Sequence, residues 1–231
     1  MACYRTLKDP SRWLLTLSLL ALALGGCVST QERFERAQNF ESEGRYAEAA
    51  RAYIEVLEDE PDFPNARDSL AGAAQRAMEG WMNDARAATD ANRYERAVDH
   101  LNEVRDLHEA CRSVDVRVPL PQSYTAFRTD TERRAADMLV EEAQRATDAK
   151  NWETAFNAYE RARRYINDTA RLQALDEQQA EVLFGWADTE MQRGTYRGAY
   201  QRAARISDPL HPAHPLGEEA EELQTGTAGR G

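Results

Sequence analysis

The sequence predicts an all-α protein of stacked antiparallel helical hairpins with unusually long first helices, and three observations predict it. A short residue pattern recurs four times along the chain. The segments flanking each copy space their apolar residues as helices do and carry no internal Pro. Each copy also has a turn-tolerant or polar residue at its head, with small Ala residues on both sides of it.

The four copies are Gly44-Arg45-Tyr46-Ala47-Glu48-Ala49, Asn92-Arg93-Tyr94-Glu95-Arg96-Ala97, Lys150-Asn151-Trp152-Glu153-Thr154-Ala155 and Gly194-Thr195-Tyr196-Arg197-Gly198-Ala199. Seven residues ahead of each turn position stands another Ala: Ala37, Ala85, Ala143 and Ala187. Small residues on facing helices let two backbones approach, and the aromatic opening the second helix fills the space beside the turn. One hairpin cannot bury its own apolar face, so consecutive hairpins must stack.

Taken in order, 34–43 and 46–58 read as the first hairpin. The segment Glu60-Pro61-Asp62-Phe63-Pro64 breaks the helix, because each Pro disfavours the α conformation in the residue before it. The stretches 65–90, 129–149 and 169–193 then read as long Pro-free helices, each leading into a turn motif. Between them, 116–122 contains Pro119 and Pro121 and is the longest internal loop. Residues 116–120 alternate like a strand, but one isolated strand has nothing to pair with. Past Ser207 come Pro209, Pro212 and Pro215, an acidic stretch at 218–222 and a Gly-rich end, a composition that predicts a flexible tail.

Ala37, Phe40, Gly44, Tyr46, Ala49, Tyr53 and Pro61 fall at the spacing of a tetratricopeptide (TPR) repeat, which this copy resembles. Trp81, Ala85, Tyr94 and Ala97 are similar to a second copy, and Ala143, Trp152, Ala155, Tyr159 and Ala162 to a third. Ala187, Gly194, Tyr196 and Ala199 match a fourth that lacks the large residue late in its second helix. The resemblance covers most of 31–206. The repeat aromatics stand 48, 58 and 44 residues apart, against a family period of about 34. The surplus precedes the later hairpins, hence long first helices rather than a regular superhelix.

The amino terminus gives an address. Arg5, Lys8 and Arg12 precede a short apolar run at 13–24, followed by Leu24-Gly25-Gly26-Cys27, the pattern of an export signal with small residues at the cut site. Those four residues resemble the bacterial lipobox, which implies cleavage before Cys27 and lipid on its thiol. Val28 after the Cys, rather than Asp, resembles lipoproteins sent to the outer membrane. The expected organisation is a signal peptide at 1–26, a lipid-anchored tether at 27–30, a TPR-like domain at 31–208 and a tail at 209–231. Three or so tether residues reach on the order of 10–15 Å, which keeps the first hairpin near the membrane.

Composition narrows the function classes. After cleavage, 26 Lys plus Arg face 39 Asp plus Glu, a formal net charge of −13. No cationic cluster suited to phosphates stands out, so nucleic acid is not an expected partner. Lys8 and Lys150 are the two lysines of the chain, a bias that fits a GC-rich genome or a salt-loving source equally well. Of three cysteines, Cys3 leaves with the signal and Cys27 would carry lipid, so Cys111 has no internal disulfide partner. It reads as a small buried apolar residue.

Motifs for catalysis or cofactors do not emerge. His211 and His214 lie in a Pro-broken loop without a third ligand. His100 and His108 share a helix with Cys111 but read as surface histidines beside a core thiol. No nucleophile elbow, phosphate loop or zinc-protease helix is present. The expectation is a non-enzyme without cofactor or metal.

The TPR resemblance implies a groove lined by the first helices. Carried over position by position, it comprises Phe34 and Gln38; Met82, Arg86 and Thr89; Val140, Gln144 and Thr147; Phe184, Asp188 and Met191. Each set follows i, i+4, i+7 spacing and shares a helix face, with an apolar residue leading. The same apolar leaders would equally suit a core. The expected role is an outer-membrane lipoprotein acting as a periplasmic adaptor for envelope proteins or a peptide segment. The alternative is a binder of a small ligand or peptidoglycan fragment, with Trp81, Trp152 and Trp186 as stacking platforms.

Overall fold

The structure is a computed structural model that describes residues 29–206, with the side chains of Ala203 and Ile206 left aside. The described residues form eight helices and no strand: α1 (Thr30–Ser42), α2 (Tyr46–Asp59), α3 (Ala66–Asp90), α4 (Tyr94–Ser113), α5 (Tyr124–Asp148), α6 (Trp152–Arg163), α7 (Thr169–Gln192) and α8 (Tyr196–Ile206). The protein is all-α, and α3, α5 and α7 are the long helices, of 25, 25 and 24 residues. Helix α5 starts five residues ahead of the stretch expected from sequence, and 116–120 is loop. The export signal, Cys27, His211, His214 and the tail lie outside the described residues.

The four repeats share one turn geometry. Gly44, Asn92, Lys150 and Gly194 all adopt positive φ, at 76°, 54°, 54° and 77°. The residue after each donates its N–H back across the turn: Arg45 to Phe40, Arg93 to Ala88, Asn151 to Ala146 and Thr195 to Glu190, at 2.8–2.9 Å. This six-residue closure satisfies carbonyls that a helix end leaves orphaned. The next helix begins at once, with Ala49, Ala97, Ala155 and Ala199 donating to the residue four before them. The eight repeat alanines, four on each side of the turns, are all fully buried. Lys150 is the costly member, because a side chain in the left-handed region loses on the order of 1 kcal/mol.

The chain divides into two compact units. The first takes the described residues up to Gly80 together with Val104–Leu120; the second takes Trp81–Glu103 and the described residues from Pro121 onward. In the first unit α1 packs on α2. A capping box starts α1, with the Glu32 N–H donating to Ser29 Oγ and the Ser29 N–H donating to Glu32. Phe34 meets Tyr53 and Phe63 at centroid distances of 5.4 and 4.9 Å, so the Pro-flanked turn after α2 returns an aromatic to the core. Arg67 at the start of α3 donates to the carbonyls of Val114 and Asp115 beyond α4.

In the second unit α5 packs on α6, α6 on α7, and α7 on α8. Leu139, Phe156, Tyr159, Ile166, Leu175, Val182 and Leu183 form its core with the intervening alanines. Gly185 is a contact requirement: a Cβ there would lie 2.6 Å from the Trp152 ring. Trp152 also donates its indole N–H to Thr189 at 2.9 Å, which fastens α6 to α7.

Candidate partner-binding surface

The groove positions divide by burial. Phe34 and Met82 are buried, at 8% and 1% exposure, so neither offers surface to a partner in this structure. Phe34 is enclosed by Tyr53 and Phe63 because α1 turns that face toward α2. Val140 and Phe184 are half-buried and pack against the rim of the same core in the second unit. Met191 is half-buried too.

The polar members lie mostly outward. Gln38, Arg86, Gln144 and Asp188 are exposed, one on each of α1, α3, α5 and α7. Arg86 donates to Asn83 Oδ1 at 2.9 Å and Ser123 Oγ at 3.2 Å, and its guanidinium lies 6.0 Å from the centre of the Phe127 ring. Asp188 accepts from Gln192 at 2.8 Å. Thr147 donates its hydroxyl to the Ala143 carbonyl at 2.9 Å, whereas the Thr89 hydroxyl is buried with no partner among the described residues. Within the second unit the exposed members thus offer guanidinium, amide and carboxylate groups, and half-buried Val140 and Phe184 precede Gln144 and Asp188 by one helical turn, chemistry suited to a mixed peptide surface.

All three tryptophans considered as stacking platforms are engaged within the chain. Trp152 lies against Gly185 and Thr189, and the Arg202 guanidinium covers Trp186 at 3.8 Å from the ring centre. Trp81 is half-buried and interacts within the chain as well.

Sequence reading missed the polar ties between helices. Glu95 on α4 accepts from Arg161 and, at 3.3 Å, from the Tyr165 hydroxyl, while Arg161 also reaches Glu142 on α5 at 3.5 Å. Burial, followed by the Glu95 carboxylate, pushes the Tyr165 hydroxyl up to about 12. Arg128 joins Asn102, Tyr124 and Glu132, and the Tyr124 hydroxyl donates to the Leu101 carbonyl at 3.1 Å. Gln179, buried at 4% exposure, links Arg163 to Glu160 between α6 and α7. These partners stand 16 to 66 residues apart where they join different helices, beyond the reach of local periodicity. An excess of Arg over Lys was the one available hint, since the planar fork suits such multi-partner ties.

The groups considered for chemistry have structural surroundings. Cys111 is fully buried, and burial pushes its thiol up to about 11, the reverse of an activated nucleophile. The His108 ring donates from Nδ1 to the Val118 carbonyl at 2.8 Å, holding the loop after α4. Among the described residues no group of three or more His, Cys, Asp or Glu is arranged to hold a metal ion. No helix among them is long and apolar enough to cross a membrane. No protein-family model matches the chain, and no curated protein matches it either.

Proposed function

We propose that this chain is an envelope lipoprotein, anchored through lipid on Cys27 to the outer membrane, whose helical hairpins serve as a protein-binding adaptor in the periplasm. The observation that carries the reading is the fourfold hairpin with one shared turn geometry. On this reading the hairpins are TPR-like repeats with lengthened first helices, forming an α-solenoid. Side chains that differ from hairpin to hairpin then decorate a repeated backbone, an arrangement suited to reading an extended partner. In the second unit exposed Arg86, Gln144 and Asp188 supply candidate contacts, and in the first unit exposed Gln38 does.

The helix start supports close tethering. Because Ser29 already caps α1, Val28 alone separates the lipobox Cys from the cap. That leaves less than about 10 Å of free chain between the anchor and the first helix.

Two measurements test the parts separately. Labelled palmitate should enter the wild-type chain and not Cys27→Ala, and the wild type should fractionate with the outer membrane. Equal labelling of both chains removes the anchor. In-cell photocrosslinking from Gln144 and Asp188 should trap a discrete protein, and the double substitution Gln144→Ala, Asp188→Ala should weaken capture from a second crosslinking site about tenfold, the scale of about 1.4 kcal/mol. Crosslinking to nothing but lipid would remove the adaptor.

A further inference from the structure

The last helix carries charge of the wrong sign for its protein. The sequence has a formal net charge of −11, yet 193–206 contains Arg193, Arg197, Arg202 and Arg205 and no acidic residue. None of these four side chains forms an ion pair with a carboxylate among the described residues, unlike Arg161, Arg163 and Arg171 in the same unit. Arg197, Gln201 and Arg205 follow i, i+4, i+8 spacing, form one row along α8, and are all exposed. Tyr200, at the side of that row, is 45% exposed, the sole large hydrophobic so exposed among the described residues. Arg202 edges the row with its Nε buried and without a hydrogen-bond partner among the described residues, its guanidinium held over Trp186. Arg205 is similarly held over Phe156, 4.2 Å from the ring centre. Stacking fixes both guanidinium planes and leaves their N–H groups to be satisfied.

We propose that the occupant of this face is the acidic segment 218–222 of the same chain, with Glu218, Glu219, Glu221 and Glu222 meeting Arg197, Arg202 and Arg205. Charge complementarity is local and strong: four carboxylates in five residues against a helix that has no acidic residue of its own, the carboxylate beside it, Glu190 of α7, having an oxygen buried opposite Gly198. Eleven residues separate Ile206 from Glu218. They span up to roughly 35 Å when extended, ample against a helix of about 16 Å. Such a link gives the segment an effective concentration in the millimolar range, which separate acidic partners must exceed. An extended anionic surface, lipid or nucleic acid, is the poorer occupant. It would bring the rest of this acidic molecule against like charge, whereas a short segment meets only the basic face.

The test uses the full chain, its conservative variants and hydrogen exchange resolved to α8. In E218Q/E219Q/E221Q/E222Q, α8 amides should exchange about five- to tenfold faster, while α1 and α2 stay unchanged. R197Q/R205Q should give a local rise as well, and because Arg205 also covers Phe156, the share that belongs to the tail is the part that adding R197Q/R205Q to the Glu→Gln chain fails to increase further. Sodium chloride at 0.5 M should reproduce most of the effect in the wild type. Reversing both partners, R197E/R205E with E218R/E221R, should restore protection. Identical α8 exchange in the wild type and the Glu→Gln chain overturns the proposal. So does a rise in the Glu→Gln chain that R197Q/R205Q fails to mirror. Stronger binding of the wild type than of R197Q/R205Q to phosphatidylglycerol vesicles at 0.15 M salt would assign the face to lipid and likewise overturn it.

Discussion

The first and last hairpins have the same backbone turn and close it with different side chains. Gly44 and Gly194 share a φ within a degree of each other, and Ala37, Ala49, Ala187 and Ala199 are all fully buried. Helix α2 nevertheless buries Tyr53, Ile54, Val56 and Leu57, and Phe63 returns to cover Phe34. Arginines of α1 and its turn are neutralised nearby: Arg33 by Asp59, Arg36 by Glu55, and Arg45 by Glu43 and Glu48. Helix α8 relies instead on stacked arginines over Trp186 and Phe156, and the Glu190 carboxylate opposite Gly198 has a buried oxygen without a partner. A repeated motif thus guarantees a hairpin without guaranteeing how firmly it is closed.

The largest expected asymmetry lies in the aromatics. Tyr53→Ala should cost about 3–5 kcal/mol in urea unfolding, because a fully buried ring leaves a cavity. The exposed Tyr200→Ala should cost less than about 0.5 kcal/mol. Equal costs would mean that α8 is closed as firmly as α2.

Glycine substitutions come next. Gly185→Ala should destabilise by about 1–3 kcal/mol, because the new Cβ meets the Trp152 ring. In α3, Gly72→Ala and Gly80→Ala meet open space and should stabilise by about 0.5–1 kcal/mol each. Trp fluorescence followed through unfolding would report the first directly, since Trp152 is the ring displaced.

The turns should respond by about 1 kcal/mol, in opposite directions at different copies. Gly44→Ala and Gly194→Ala force a Cβ into the left-handed region and should each lose about that much. Lys150→Gly removes the same strain and should gain up to about 1 kcal/mol in thermal unfolding. A loss at Lys150→Gly would show that its side chain contributes more than its backbone costs.

The smallest effect is silent at neutral pH. Burial pushes the Cys111 thiol up to about 11 from its ordinary 9.0. It also pushes the Tyr53 hydroxyl up to about 12 from 10.0, with the Glu41 hydrogen bond adding to the rise. The folded state favours the neutral forms, so their contribution is complete below about pH 9 and falls as pH rises from about 9 to 12. Cys111→Ala should flatten the early part of that decline in unfolding midpoints measured across the alkaline range.

The sequence by itself determined the hairpins. Turn closure, helix periodicity and the small-residue pairs act over fewer than about ten residues, so Gly44, Asn92, Lys150 and Gly194 with their flanking alanines were readable in one dimension. The long helices followed from the absence of Pro. Only the tertiary structure decided which way each helix face turned. Phe34 and Met82 went inward while Val140 and Phe184 stayed at the rim, because a rotation of a few tens of degrees about a helix axis moves a side chain from core to edge. The Glu95–Arg161 tie, across 66 residues, and the α8 arginines that find no ion pair among the described residues were likewise decided there. Contacts so distant along the chain depend on how helices settle against each other, and no local pattern encodes that.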